Sequence, residues 1–152
     1  MKELTKEQAL GKAQAYCSAA EHCRSEVAEK LYQWGVDSTA SEEILRSLEE
    51  DDFLNDERYC RAFVHDKYRF AKWGKTKIAM ALAAKRLPES SYRDCLEQID
   101  ETEYRDILRK LLRAKKRSLT DTDEYVLRGK LIRFALGKGY RLSDIEQCLD
   151  AD

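Results

Sequence analysis

The chain has 152 residues, of which 38% are charged and 43% are hydrophobic, and its formal net charge is −1. This length suits about one domain, and so much charge favours a thin or elongated molecule over a thick globule. Ala, Leu, Glu, Lys and Arg dominate while glycine occurs six times and proline once, so the composition predicts an all-α fold. No apolar stretch predicts a secretory leader or a membrane span.

Five cysteines, odd in number and without a C-x-x-C pair, favour reduced thiols in a cytosolic protein. We therefore expect a cytoplasmic protein with no membrane partner. The charge is distributed unevenly, because residues 1–60 carry 7 basic and 14 acidic side chains whereas residues 61–117 carry 16 basic and 8 acidic ones. An acidic first part and a basic middle predict that the middle faces something negative.

The sequence predicts three three-helix units, of which residues 1–52 form the first. "WGV" ends the second helix, with Gly35 placed for a left-handed C-cap. The start signals of the three helices, in chain order, are Thr5 with Gln8, then Ser25, then Thr39 with Glu42.

Residues 53–99 predict the second unit, which opens with "FLNDERYCRAFV". Asn55 is expected to cap the helix, with two carboxylates following it in the first turn. Leu54 and Tyr59 have the spacing of a hydrophobic staple. Gly74 predicts the break before the next helix. The wide apolar face of the first helix is expected to pack on its own and the preceding unit, through Tyr59, Cys60, Phe63, Val64 and Phe70.

Residues 100–152 predict the third unit, whose first helix starts near Asp100 with Glu103 at the capping-box position. The segment "KKRSLTDTDEYVLRG" predicts a loop and hinge before the second helix. Gly139 is placed to end that helix with a left-handed residue. The remaining start signals are Thr120 or Asp121 for the second helix and Ser143 with Glu146 for the third.

An internal repeat supports these three units. Apolar triplets with a common spacing of nine recur at offsets of 51 and then 53 residues: Val27, Val36 and Leu45; Ile78, Leu87 and Leu96; Leu131, Tyr140 and Leu149. The pattern of helix, tight turn and helix predicts three tandem three-helix repeats in an elongated, curved arrangement.

Three motifs suggest chemistry but are incomplete. Gly74, Lys75 and Thr76 end like a phosphate-binding P-loop, yet Arg69 stands where the motif needs glycine. His65 and Asp66 form an HD pair of the kind found in metal-dependent phosphohydrolases, which need more histidines than the two present. We expect this histidine to be solvated.

The third motif consists of Cys17, His22 and Cys23, which could suggest a zinc site. Their spacing fits no common pattern of zinc ligands. We expect Cys17 and Cys23 to be small core residues. We therefore expect no enzyme, no metal and no cofactor.

The basic stretches "KYRFAKWGKTK" and "RKLLRAKKR" are the remaining candidates for binding. In the second stretch, Leu108, Leu111 and Leu112 mark the buried face and leave the cations to fan over the exposed one. Trp73 suits either the core or stacking on a base. The candidate residues for binding an anionic partner or DNA are Lys67, Arg69, Lys72, Lys75, Lys77, Lys85, Arg86, Arg109, Lys110, Arg113, Lys116 and Arg117.

Three segments in this order, "FLNDERYCRAFV", "KWGKTKIAMALAAKRL" and "GKLIRFALGKGYRLSDIEQCL", closely resemble the RecX family of recombination regulators. "CRSEVAEKLYQWGV" in the first unit is similar to the family's second helix. The resemblance covers the chain from about Ala15 onward, and "NDERY" is its most specific part.

The resemblance implies three tandem three-helix repeats and a protein that binds the RecA filament on DNA along its groove. It implies that the protein usually restrains ATP hydrolysis, strand exchange and coprotease function, and some members also bind single- or double-stranded DNA. We expect a monomeric regulator of this kind. The alternative is a helical nucleic-acid-binding module that acts without RecA.

Overall fold

The computed structural model describes residues 4–151, which form nine α-helices and no strand. The helices are α1 (Lys6–Ala19), α2 (Arg24–Gln33), α3 (Ser38–Glu50), α4 (Asp56–Arg69), α5 (Lys75–Ala84), α6 (Glu89–Glu97), α7 (Glu101–Ser118), α8 (Glu124–Gly137) and α9 (Leu142–Ala151). Consecutive triplets of helices pack together, and we call them unit 1, unit 2 and unit 3. The predicted all-α repeat fold is confirmed, whereas the unit boundaries and the curvature stay predictions. No helix in the described part is long and apolar enough to cross a bilayer.

The first helix of each unit starts where the sequence predicts. Thr5 Oγ1 accepts from the Gln8 amide at 3.1 Å, and the Gln8 side chain accepts from the Thr5 amide at 2.9 Å. The Asn55 side chain accepts from the Arg58 amide at 2.9 Å. Asp100 likewise accepts from two amides of the first turn of α7. Local capping chemistry therefore determines the starts of α1, α4 and α7.

The starts of α2, α3, α8 and α9 differ from the prediction by one to three residues. The observed caps are Cys23 instead of Ser25, Asp37 instead of Thr39, and Asp123 instead of Thr120 or Asp121, while α9 begins at Leu142. Several cap-forming residues stand close together in these segments. A carboxylate decides between them, because Asp37 and Asp123 accept from main-chain amides at 2.9 Å and Glu26 accepts from the Cys23 amide at 3.1 Å.

The segment predicted as a loop and hinge in unit 3 is mostly helical. α7 continues through Ser118 and α8 begins at Glu124, so the connection is only residues 119–123. The run of Lys, Arg and Ala at the end of α7 has high helix propensity, which explains the extension. Lys130 Nζ donates to Asp121 at 2.7 Å and ties the short connection to α8.

The apolar triplets of the repeat lie in or against the core. Val27, Leu45, Ile78, Leu87, Leu131 and Tyr140 are buried, and Val36, Leu96 and Leu149 are partly buried against them. The buried residues form two clusters, of which one belongs to unit 1. The other spans units 2 and 3 and includes Cys23 from unit 1. Units 2 and 3 thus share one core.

Two predictions for α4 are wrong. Leu54 is buried in the cluster of unit 1 whereas Tyr59 is buried in the other cluster, so the staple between them does not form. Phe70 caps the C-terminus of α4 and is 73% exposed instead of lying on its apolar face. In addition, α4 packs on α7 of the following unit. It meets unit 1 through polar contacts near its N-terminus.

The joint between units 2 and 3 is made of backbone. The Gly74 amide donates to the Lys138 carbonyl at 2.8 Å, and the Thr76 amide donates to the Gly139 carbonyl at 3.1 Å. A Cβ on Gly74 would lie 2.2 Å from the carbonyl carbon of Gly139, so only glycine permits this approach. Tyr140 donates its hydroxyl to the Lys72 carbonyl at 3.1 Å. Gly74 is confirmed as the break before α5.

The joint between units 1 and 2 is made of side chains at corresponding positions. Cys23 precedes Gly74 by the repeat offset of 51, and Lys85 precedes Lys138 by the offset of 53. Here Glu26 mediates the contact, because its carboxylate accepts from the Cys23 amide at 3.1 Å and from Lys85 Nζ at 3.0 Å. The corresponding turns all contain a left-handed residue: Gly35, Arg86 and Gly139. The predicted left-handed glycines are confirmed.

The surface area agrees with an elongated shape. The accessible surface is 9694 Å², whereas a compact monomer of 17.7 kDa exposes about 7,900 Å². The excess arises because three small units are joined in a row, each with much of its surface in solvent.

Candidate partner-binding surface

The structure distributes the twelve predicted basic residues over units 2 and 3 in three groups. One group surrounds the connection between α4 and α5, a second lies at the C-terminal end of α5, and a third lies on the second half of α7. With a rise of about 1.5 Å per residue, the stretch of α5 from Lys77 to its C-cap Lys85 separates the first two groups by about 12 Å. The predicted residues therefore form separate patches, not one site.

The first patch is built around Trp73. Lys67 Nζ and Lys77 Nζ lie 4.9 and 4.5 Å from the centre of the Trp73 ring, and Phe63 meets the same ring edge to face at 6.4 Å. The chain folds back after α4 because the Trp73 amide donates to the Lys67 carbonyl at 2.9 Å. Two ammonium groups are thus held beside one half-buried aromatic ring. The two ammonium groups make this patch a positive surface that can attract a phosphate or a carboxylate.

Two other cations of the first patch hold unit 2 against α7. Arg69 donates two hydrogen bonds to the Glu103 carboxylate at 2.6 and 3.0 Å, and Lys75 forms an ion pair with Glu101. The hydrogen bonds from Arg69, followed by that from Tyr68, lower the pKa of Glu103. These two cations are therefore neutralised within the chain, and we assign them a structural role.

The second patch lies beside the joint between units 1 and 2. Lys85 is paired with Glu26, so it too has a structural partner. Arg86 is exposed and has a left-handed backbone with φ of 62°. It lines an open hollow of about 410 Å³ together with Ser25, Glu29 and the exposed Tyr32. Of the two predicted residues, Arg86 is the one directed to solvent.

The third patch follows the second half of α7. Lys110 pairs with Asp106 at 3.0 Å, and Arg109 is half-buried instead of fully exposed as predicted. Arg113, Lys116 and Arg117 are exposed as the fan predicts. In the part of the chain that the structure describes, six predicted cations have no carboxylate within ion-pair distance: Lys72, Lys77, Arg86, Arg109, Lys116 and Arg117.

Sequence reasoning missed an exposed apolar face on α8. Tyr125 is 87% exposed, and Val126 and Leu136 are also exposed. Arg133 lies beside them, again without a carboxylate partner among residues 4–151. A helix that is apolar on most sides in a thin protein is the pattern that could have revealed this face.

The alternative motifs do not assemble into sites. His22 stacks on Tyr16 with ring centres 3.7 Å apart and lies 3.3 Å from the Glu26 carboxylate. Cys17 and Cys23 are buried, as predicted, and His65 is exposed. Among the described residues, no three His, Cys, Asp or Glu side chains are grouped so that they could hold a metal. Of the P-loop-like residues, Gly74 precedes α5, and Lys75 and Thr76 are its first two residues.

Family models match most of units 2 and 3. The model described as RecX, second three-helix domain, matches residues 55–96, and the model described as RecX, third three-helix domain, matches residues 101–149. Together they cover more than half of the chain.

Curated relatives carry the same family name. The regulatory protein RecX of Clostridium perfringens strain 13 is 34% identical over 117 residues, which is 76% of this chain and 54% of that protein. The regulatory protein RecX of Prosthecochloris aestuarii is 28% identical over 142 residues, which is 93% of this chain and 91% of that protein. The chain spans about half the length of the clostridial relatives that it matches.

Two solved structures share the fold. The crystal structure of RecX from Lactobacillus salivarius superposes with a TM-score of 0.88 at 19% identity, covering 96% of this chain and 95% of that one. A second crystal structure of regulatory protein RecX gives a TM-score of 0.84 at 22% identity, covering 95% of this chain and 73% of that one. At such identities the likeness is one of architecture.

Proposed function

Since the chain belongs to the RecX family, we propose that it is a regulatory protein that binds the RecA filament on DNA and restrains its activities. The activities are ATP hydrolysis, strand exchange and coprotease function. The successive matches to the second and third RecX domains carry the proposal. The name of the curated relatives supports it. The protein would act by binding, as a cytoplasmic monomer, and not by catalysis.

The charge distribution supports a mechanism based on several modest contacts. The unpaired cations of units 2 and 3 are spread over three patches, which suits a long, anionic groove of protein and DNA better than a single pocket. Because the patches lie on one linked chain, each contact raises the effective concentration of the next, and the sum is tight. A protein bound across neighbouring RecA protomers would hinder the changes that accompany ATP hydrolysis.

The test is a titration of the single-stranded-DNA-dependent ATP hydrolysis of RecA with this protein. We expect hydrolysis to fall at protein concentrations well below that of RecA, with little binding to naked DNA. Unchanged hydrolysis at equimolar protein would refute the proposal.

A charge-reversal pair makes the test specific to the proposed surface. Lys72→Glu with Arg117→Glu changes two exposed cations that lack a carboxylate in the described chain, and inhibition should weaken about tenfold or more, corresponding to 1.4 kcal/mol of binding energy. The matched control is Lys12→Glu with Arg46→Glu, which makes the same change of charge on exposed positions of unit 1. Equal losses in the two variants would indicate a nonspecific effect of net charge.

A second function is favoured by one observation. Lys67 and Lys77 beside Trp73 form a patch that suits a phosphate next to a base. The second function is therefore binding of single-stranded nucleic acid without RecA. Direct binding of this kind should weaken steeply with salt and need no recombinase, which separates it from the first proposal.

A further inference from the structure

One side of α8 carries apolar groups that are exposed at its two ends, at Tyr125 and Leu136, and partly buried between them, where Ile132 packs against the core. At 100° per residue, Tyr125, Gly129, Ile132 and Leu136 fall within one narrow stripe, which we call the α8 stripe. The core-facing residues Leu131 and Ala135 lie on a different side of the helix. The stripe extends over twelve residues, or about 16 Å from Tyr125 to Leu136. It is therefore a second, partly exposed apolar face on a helix whose first face is buried.

The middle of the α8 stripe is a notch. Gly129 forms its floor, and Tyr125, Val126, Ile132 and Arg133 surround an open hollow of about 370 Å³. A Cβ added to Gly129 would meet only the Arg133 guanidinium, at 3.8 Å. Glycine destabilises a helix interior relative to alanine, and no packing within the described chain requires it here. The notch has room for an incoming side chain.

The rim of the notch is cationic. Arg133 and Lys116 are exposed and have no carboxylate within ion-pair distance in residues 4–151, and Lys116 lines the neighbouring hollow with Tyr125. Arg128, on the other side, is held by Asp150 at 3.0 Å. An apolar centre with charged groups at its edge has the anatomy of a protein interface. Apart from Tyr125, the α8 stripe consists of aliphatic side chains and a glycine, which offer neither hydrogen bonds nor a stacking platform for nucleic acid.

We infer that the α8 stripe docks a segment of a RecA protomer that places an apolar side chain over Gly129 and carboxylates against Arg133 and Lys116. The inference rests on the proposed function and adds the contact surface. A second copy of this chain is the competing occupant, and the oligomeric state of the wild type tests it.

The test compares Gly129→Leu with Gly11→Leu. Both positions lie inside helices with no protein atom that a Cβ would strike, so both variants should fold at least as stably as the wild type. Only Gly129→Leu fills the notch. Binding is measured by fluorescence anisotropy of protein labelled at its N-terminus, added to RecA filaments formed on poly(dT) with a non-hydrolysable ATP analogue.

We expect Gly129→Leu to weaken filament binding at least tenfold and Gly11→Leu to change it less than twofold, with binding to poly(dT) alone unaffected. Arg133→Glu should reproduce the loss. Wild-type affinity in Gly129→Leu would overturn the inference and leave the proposed function standing. Absence of filament binding by the wild type would overturn both.

Two other outcomes would reassign the α8 stripe. An equal loss of binding to poly(dT) alone would overturn the protein partner in favour of nucleic acid. Light scattering that shows a wild-type dimer and a Gly129→Leu monomer would overturn the RecA contact and assign the stripe to a second copy.

Discussion

Gly139 fixes the position of unit 3 against unit 2 through its lack of a side chain. Its φ is 97°, and a Cβ there would lie 2.3 Å from Lys77 Cβ and 2.7 Å from the Lys77 amide nitrogen. The neighbouring carbonyl of Lys138 accepts from the Gly74 amide at 2.8 Å. The turn after α8 and the segment before α5 therefore cannot move apart without losing this hydrogen bond. Steric fit and backbone conformation both require glycine.

We therefore expect Gly139→Ala to destabilise the protein by about 2–3 kcal/mol, since strained backbone and overpacking each cost about 1–3 kcal/mol. Urea unfolding followed by circular dichroism measures the change. The control is Gly137→Ala, where a Cβ meets nothing within 4 Å and helix propensity predicts a gain of up to about 1 kcal/mol. Equal midpoints for the two variants would contradict the role of the joint.

Features of single residues can be predicted from the sequence where residues adjacent in the chain determine them. The left-handed turns at Gly35 and Gly139 and the caps at Thr5 and Asn55 follow from local chemistry. The contact of Gly74 with Gly139 does not, because the two residues are far apart in the chain. The exposure of cations is also invisible in sequence, since the carboxylates that neutralise Arg69 and Lys85 come from other helices.

At the joint of units 1 and 2, a single carboxylate, that of Glu26 in α2, accepts from Lys85 at the end of α5. Burial acts to raise the pKa of Glu26, but the hydrogen bonds from Lys85, the Cys23 amide and His22 together lower it. The hydrogen bond to Glu26 also raises the pKa of Lys85. A depressed carboxyl pKa means that the ionised form stabilises the folded joint.

The pH dependence of the stability follows from the lowered pKa of Glu26. The stabilisation is fully present above the ordinary carboxyl pKa of 4.5 and is lost as the pH falls through the lowered value. At pH 7 we expect Glu26→Gln to cost about 0.5–1 kcal/mol, a value reduced by the partial exposure of the pair.

The measurement is urea unfolding monitored by the fluorescence of Trp34 in unit 1, with Trp73→Phe in both proteins to leave one reporter. The difference between the wild type and Glu26→Gln should shrink as the pH is lowered below 4.5. A difference independent of pH would mean that the carboxylate charge does not hold the joint. The sequence indicated both helices, but it contained nothing that links residue 26 to residue 85.

The two joints of the molecule differ in kind, and this difference separates unit 1 from units 2 and 3. Unit 1 has its own buried cluster and meets unit 2 mainly through polar contacts, in which the Arg24 amide donates to Asp56 and Arg58 donates to Glu21. Units 2 and 3 share one core and a backbone joint. The repeat in the sequence predicts three similar units, but it does not predict that two of them are fused more firmly than the third.

This asymmetry predicts unfolding in two steps. Surface ion pairs contribute about 0–1 kcal/mol each, so they couple the units weakly compared with a shared apolar core. Trp34 reports on unit 1 and Trp73 on the core of units 2 and 3. With Trp73→Phe and Trp34→Phe as single-reporter variants, we expect the Trp34 transition at lower urea than the Trp73 transition.

Salt and the backbone joint should act on different transitions. Adding salt should lower the urea midpoint of the Trp34 transition further, because salt screens the ion pairs at the joint of units 1 and 2. Gly139→Ala should move the Trp73 midpoint and leave the Trp34 midpoint in place. Coincident transitions in both reporters would show one cooperative body. Separate transitions would show that unit 1 unfolds independently of the core that units 2 and 3 share.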